Sequence, residues 1–307
     1  MRDDRSGIST LLIAVVIVVI VVVAAGAAYV VLSDDKDNEQ KETLAPGTVL
    51  IFDITVNGEE AGTLEQTLIG QSSDVSFFML KTTSKDAPAV TQYNTSSKND
   101  LPEDLELIRT TSLDTKDGVK TVQVFKFTIT SAAGTLEVLS YIDPENNTLY
   151  KEEITGLVQG KEYKEVRILK EYEPVWQTSY KESKSIGKTS EYVCHFGTAV
   201  YPSKIKCIAD CLNDQYGVAY DFSSLGGTEV YFLSDNIQGL PTDAINTGKT
   251  ELLRNTIDGD VTVEVWTLSL GIDVFTFYYE PDSHTVYKFM LTEMGYDFVF
   301  DLTKKPK

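Results

Sequence analysis

The chain has 307 residues and carries 27 basic against 46 acidic side chains, a formal net charge of −19. Such a balance excludes nucleic acid as a partner, because displacing counterions from phosphates needs clustered Lys and Arg, and it disfavours adsorption to an anionic lipid surface. The acidity suits cations, basic partners or simple solubility, and the length leaves room for one large core or two small ones.

The first predicted element is the run Leu11 to Leu32, LLIAVVIVVIVVVAAGAAYVVL, which holds no charge. As a helix it would rise about 33 Å, enough for a hydrocarbon core of about 30 Å. Lipid offers the backbone no other hydrogen-bond partner, so Val and Ile become helical there despite modest propensity in water. A cleaved secretory signal is the competing reading, since Val23 is followed by Ala24-Ala25-Gly26-Ala27-Ala28. The apolar run resumes at Tyr29-Val30-Val31-Leu32, which favours a retained span. Arg2 and Arg5 precede the run and Lys36 and Lys41 follow it, so the positive-inside bias is slight. The short amino end is placed in the cytoplasm because the rest of the chain reads as a large β domain.

Arg5-Ser6-Gly7 before Ile8-Ser9-Thr10 and the apolar run resembles the leader of archaeal prepilins, and with the acidic stretch that follows it resembles archaeal single-span cell-surface proteins. The resemblance covers the first tenth of the chain and implies membrane anchorage at the cell surface. The Glu that bacterial pilins carry shortly after their cleavage site is absent, which argues against filament assembly.

Ser33 to Thr43, SDDKDNEQKET, has no periodicity and reads as a flexible acidic spacer, taken as 33–46. From Gly47 onward, short runs of Val, Ile, Thr, Tyr and Phe are bounded by Gly, Asn, Asp and Pro, the pattern of strands. Val49 to Val56, Asn57-Gly58 and Thr63 to Ile69 predict a hairpin. Val75 to Leu80 predicts another strand, and Asp86 to Glu103 reads mostly as loop.

An internal repeat organises the remainder. Leu101-Pro102-Glu103-Asp104, Asp117-Gly118, Val122-Gln123-Val124-Phe125, Tyr141-Ile142-Asp143-Pro144-Glu145 and Thr148-Leu149-Tyr150-Lys151 recur in order. The second series is Leu240-Pro241-Thr242-Asp243, Asp258-Gly259, Val263-Glu264-Val265-Trp266, Tyr278-Tyr279-Glu280-Pro281-Asp282 and Thr285-Val286-Tyr287-Lys288. Asp-Gly suits the centre of a type I′ turn. The prolines suit turns that would set Tyr141 opposite Tyr150 and Tyr278 opposite Tyr287. Tyr163 to Leu169 and Tyr296 to Leu302 close the two copies. The expected fold is all-β, a tandem repeat of an antiparallel meander, sandwich or half-barrel, after one amino-terminal transmembrane helix. The organisation reads 1–10 cytoplasmic, 11–32 span, 33–46 spacer, 47–171 first repeat, 172–186 linker with Trp176, and 187–307 second repeat. The hydrophobic leader and the repeated Asp-Pro-Glu-type hairpins faintly resemble bacterial lipoprotein-carrier half-barrels, although the Cys that follows a lipoprotein leader is missing.

Chemistry-bearing residues are sparse. If Tyr201 to Lys204 is a turn, Cys194 falls opposite Cys211, predicting a disulfide with Cys207 left over. A zinc site from Cys194, His195, Cys207 and Cys211 lacks the paired short spacings of common motifs. His284 reads as an exposed turn residue, and Ser185-Ile186-Gly187-Lys188 matches Ser-x-x-Lys without a companion motif. Asn94 and Asn146 head Asn-x-Ser/Thr triplets, glycosylation candidates in an exterior domain. These observations predict a non-enzymatic protein without metal or cofactor, held to the membrane through Leu11 to Leu32. Its role would be to bind a protein or glycan or to build the envelope. The alternative is a carrier of a lipid or other apolar ligand, with Phe275, Phe277 and Tyr279 lining its cavity.

Overall fold

The computed structural model describes residues 43–85, 87–97, 102–131, 134–145, 148–158, 160–177, 180–181, 183–196, 198–293 and 295–306. The expected span at 11–32 and Asn146 lie outside the described residues. Among the described residues no helix is long and apolar enough to cross a membrane. They are all-β, with antiparallel pairing, and fall into two compact units. Unit 1 takes the described residues up to Ile69 and from Asp74 to Tyr180; unit 2 takes Gly70–Ser73 and everything from Lys181.

Unit 1 contains β1 (Thr43–Leu44), β2 (Val49–Val56), β3 (Glu59–Gln71), β4 (Val75–Ser84), β5 (Val90–Ser97), β6 (Glu106–Thr115), β7 (Gly118–Ser131), β8 (Gly134–Ile142), β9 (Leu149–Val158), β10 (Lys161–Glu173) and β11 (Trp176–Gln177). Val56 pairs with Glu59 around Asn57 and Gly58, whose φ values of 51° and 87° are those of a two-residue hairpin turn. β2 also pairs with β10, which starts the ladder β10, β9, β8, β7, β6. On the other side β3 abuts β4 at Gly62, where a Cβ would stand 2.0 Å from the Thr83 carbonyl oxygen, and β4 pairs with β5. Val90–Ser97 is therefore a strand where a loop was expected. Its polar residues are tolerated because β4 satisfies its backbone, and Tyr93 stacks on Phe77 at 6.0 Å. Trp176, expected in the linker, pairs with Leu44 in a short ribbon and is 41 % exposed.

Unit 2 contains β12 (Thr189–Phe196), β13 (Ala199–Cys211), β14 (Tyr216–Asp221), β15 (Glu229–Ser234), β16 (Ile245–Thr256), β17 (Gly259–Leu270), β18 (Asp273–Glu280), β19 (Thr285–Glu293) and β20 (Tyr296–Lys304). β12 leads through β13 and β14 to β15, and also pairs with β20, from which the ladder runs β19, β18, β17, β16. This is the order of unit 1 strand for strand, with β12 in the place of β2 and β20 in that of β10.

Local details agree between the units. Thr115 Oγ1 donates to the Gly118 carbonyl at 2.8 Å and Thr256 Oγ1 to that of Gly259 at 2.7 Å. Tyr150 donates its hydroxyl proton to Asp117, and Tyr287 to Asp258. The Lys151 ammonium lies 5.1 Å from the Tyr141 ring centroid, and Lys288 lies 5.0 Å from that of Tyr278.

Two expectations change. Thr115 pairs with Gly118, so Asp-Gly fills the third and fourth turn positions, not the central two, and Gly118 takes φ +93° as a bulge glycine. Tyr141 faces Lys151 and Tyr278 faces Lys288, because each ladder slips by one residue beside the tyrosine. The aromatic pairs are thus replaced by cation–π contacts.

Candidate functional site

β10 carries polar side chains where a core strand normally carries apolar ones. Tyr163, Glu165, Arg167 and Leu169 face inward, while Ile168 points out and is 52 % exposed. Glu165 and Arg167 are 0 % and 1 % exposed. β9 adds Glu152 directly opposite Arg167, and β8 adds Ser140 opposite Glu152.

Arg167 Nε donates to Glu165 Oε1 at 2.5 Å, and Nη1 donates to Glu152 Oε2 at 3.1 Å. Ser140 Oγ donates to the other Glu152 oxygen at 3.3 Å, and the Tyr163 hydroxyl donates to Glu165. Arg167 Nη2 is buried with no hydrogen-bond partner among the described residues. Burial raises the Glu152 pKa, the pull of Arg167 notwithstanding, and burial followed by Glu165 raises that of Tyr163. Burial works against the Arg167 cation, but Glu165 and Glu152 outweigh it and hold its pKa above the ordinary value. Charge-assisted hydrogen bonds of this kind are strong, yet their Coulombic gain is largely offset by desolvation. Every carboxylate oxygen here has a hydrogen-bond partner inside the unit.

Unit 2 shows what the same row does without charges. Across unit 1 the register is Phe125, Ser140, Glu152, Arg167, Ile54. Across unit 2 it is Trp266, Phe277, Phe289, Phe300, Cys194. Phe289 and Phe300 stack at 4.4 Å where unit 1 pairs Glu152 with Arg167. Reading for isolated motifs missed this cluster. Setting Tyr163-Lys164-Glu165-Val166-Arg167-Ile168-Leu169 beside Tyr296-Asp297-Phe298-Val299-Phe300-Asp301-Leu302 would have exposed it, since Glu165 and Arg167 fall on Phe298 and Phe300.

The cysteines do not form the expected pair. β12 and β13 reverse between Phe196 and Ala199, and Tyr201-Pro202-Ser203-Lys204 runs extended inside β13. Cys194 therefore faces Tyr201, while Cys211 pairs with Gly70, and all three thiols are free. Burial raises the Cys194 thiol and pushes Cys207 and Cys211 up to about 12. Among the described residues no three His, Cys, Asp or Glu are grouped to hold a metal. His284 sits in a turn at φ 54° and shares a 2.7 Å hydrogen bond with the Tyr279 hydroxyl. Asn94 stands in β5, not in a loop; it is buried, and its side-chain oxygen accepts from the Thr95 amide.

Phe275 and Phe277 are buried in the core of unit 2. Phe275 meets Phe232 at 5.5 Å and Phe222 at 6.2 Å, Phe277 meets Tyr220 at 6.1 Å, and Tyr279 meets Trp266 at 6.2 Å. No family model and no curated protein matches this chain.

Proposed function

We propose that the chain is a single-span membrane-anchored protein that displays two copies of one duplicated β unit outside the cytoplasm, where they serve surface binding or envelope structure without catalysis. The duplication is supported by the shared strand order and by the paired Thr–Gly, Tyr–Asp and Lys–Tyr contacts, which chance would not reproduce at matching positions. The observation that carries the non-catalytic reading is the buried cluster: the most concentrated charges described are engaged with one another inside unit 1. Anchorage rests on the apolar length of Leu11 to Leu32.

The carrier alternative asks Phe275, Phe277 and Tyr279 to line a void, and their ring contacts support a filled interior instead. Expression in a host cell followed by protease treatment of sealed spheroplasts tests the placement. Digestion of the β units in intact spheroplasts is the expected result. Units that resist until the membrane is opened would reverse the orientation, and full release by alkaline carbonate would remove the span.

A further inference from the structure

The sheet formed by β12, β20, β19, β18, β17 and β16 in unit 2 has chemically different ends. Antiparallel pairing brings three reversals to one end: between β12 and β13, between β19 and β20, and between β17 and β18. Adjacent reversals stand about 10 Å apart, two strand spacings. Around them Ile272 is 70 % exposed, Tyr296 65 %, Val200 55 % and Phe196 52 %, with Leu270 and Ile245 beside them. Phe196 also stacks on Phe298 at 5.8 Å, so the aromatic surface continues from the core to the rim. The opposite end turns on Pro281-Asp282-Ser283-His284 and on Asp258-Gly259, with Ile257 and, further along β16, Leu252 as exposed apolar residues and no exposed aromatic ring among the described residues. The matching end of unit 1 turns on Asn57-Gly58, and its β10 opens with the exposed Lys161 and Glu162. Among the described residues this end of unit 1 exposes Leu107 and Leu157 but no aromatic ring, so the aromatic end belongs to unit 2.

From this we infer that the apolar end of unit 2 docks into the zwitterionic lipid interface of the membrane that anchors the chain, an inference that rests on the anchorage proposed above. Large apolar side chains grouped at one exposed end mark an interaction surface, and Tyr with Phe and Ile is the composition that settles at the headgroup boundary. The tether favours the same occupant. Residues 33–42 separate the apolar run from Thr43, and ten residues span at most about 36 Å fully extended. The tether therefore keeps the membrane at a high effective concentration near the tethered chain, which lets a weak apolar contact form. Asp273, Glu293 and Asp297 flank the reversals, so an anionic surface would repel this end while a zwitterionic one would not.

The test uses the full chain reconstituted into phosphatidylcholine vesicles with or without brominated acyl chains, which quench tryptophan on contact. Ile272→Trp places the probe at the apolar end and Asp282→Trp at the opposite end, both at exposed positions that accept the larger ring. After subtraction of the unsubstituted chain, emission from Ile272→Trp is expected to fall by roughly half in brominated lipid, as for a side chain at interfacial depth, and that from Asp282→Trp to stay unchanged. Replacing part of the lipid with phosphatidylglycerol should weaken the quenching. Equal emission from both variants in a chain that floats with the vesicles would overturn the docking and leave the anchorage standing. Failure to float would overturn both. Emission from Ile272→Trp that ignores lipid but shifts with protein concentration would assign this end to a second copy of the chain and overturn the lipid reading.

Discussion

Glu152 is a carboxyl whose chemistry is altered by folding. Its carboxyl is surrounded by Arg167, Glu165 and Ser140, and burial raises its pKa above the ordinary carboxyl value of 4.5. A folded-state pKa above the unfolded one means that the native state binds the proton more tightly. The stability this contributes is fully present below about pH 4.5 and is lost as pH rises through the folded value. Hydrogen exchange of the β9 and β10 amides, read for the full chain in detergent, should therefore quicken from pH 5 to pH 7 beyond its intrinsic pH dependence. Glu152→Gln, which cannot ionise, should remove that excess; an excess that survives in the variant would assign it to another group. The cysteines make a second prediction at this scale. Burial raises the Cys194 thiol and pushes Cys207 and Cys211 up to about 12, so little thiolate, the form that reacts, is present at pH 8. Iodoacetamide should leave Cys194, Cys207 and Cys211 largely unmodified in the folded chain and alkylate all three after denaturation. A non-reduced peptide map linking Cys194 to Cys211 would contradict the β12–β13 register.

At the level of elements, the β8–β9–β10 row asks whether its charges hold the fold together. Removing one member of a buried ion network strands the others, so Arg167→Met should destabilise unit 1 by about 3–5 kcal/mol. Exchanging Glu152, Glu165 and Arg167 together for methionine should recover at least half of that loss, because unit 2 closes the equivalent row with Phe289, Phe298 and Phe300. Exchange of the β9 amides reports both. A triple variant no better than the single one would mean that the charges are required for packing. Strands were legible where apolar residues met turn chemistry: β2 keeps its expected bounds, and Asn57-Gly58 turns as its residue types demand. β5 was not legible, since Val90-Thr91-Gln92-Tyr93 owes its extended form to β4. Nor was the inward face of β10. Alternation offered Val166 and Ile168 on one side and Glu165 and Arg167 on the other, and only the partners on β8 and β9 decide between them. The cysteine register failed because Pro202 suggested a turn, whereas an exposed strand position facing Val193 accommodates it.

For the whole molecule, the two units share a frame and differ in what fills it. Unit 1 encloses a charge network, and unit 2 encloses Tyr220, Phe222, Phe232, Phe275, Phe277 and Phe289 in mutual ring contact. Under the proposed duplication, one interior tolerates either solution, so the frame rests on strand pairing and the apolar residues common to both. The difference also bears on the carrier alternative. An apolar ligand needs a void of a few hundred Å³ lined by side chains that lack protein partners on one face. In unit 2 the aromatic residues that would line it touch one another. Native mass spectrometry of the full chain, purified from its own membranes and released from detergent in the gas phase, should therefore give the protein mass alone. A stoichiometric adduct that persists through detergent exchange and disappears on solvent extraction would establish a bound apolar ligand. The packed aromatic row of unit 2 would then have to open in solution, and the same adduct should be lost from a Phe277→Glu variant that remains folded by exchange.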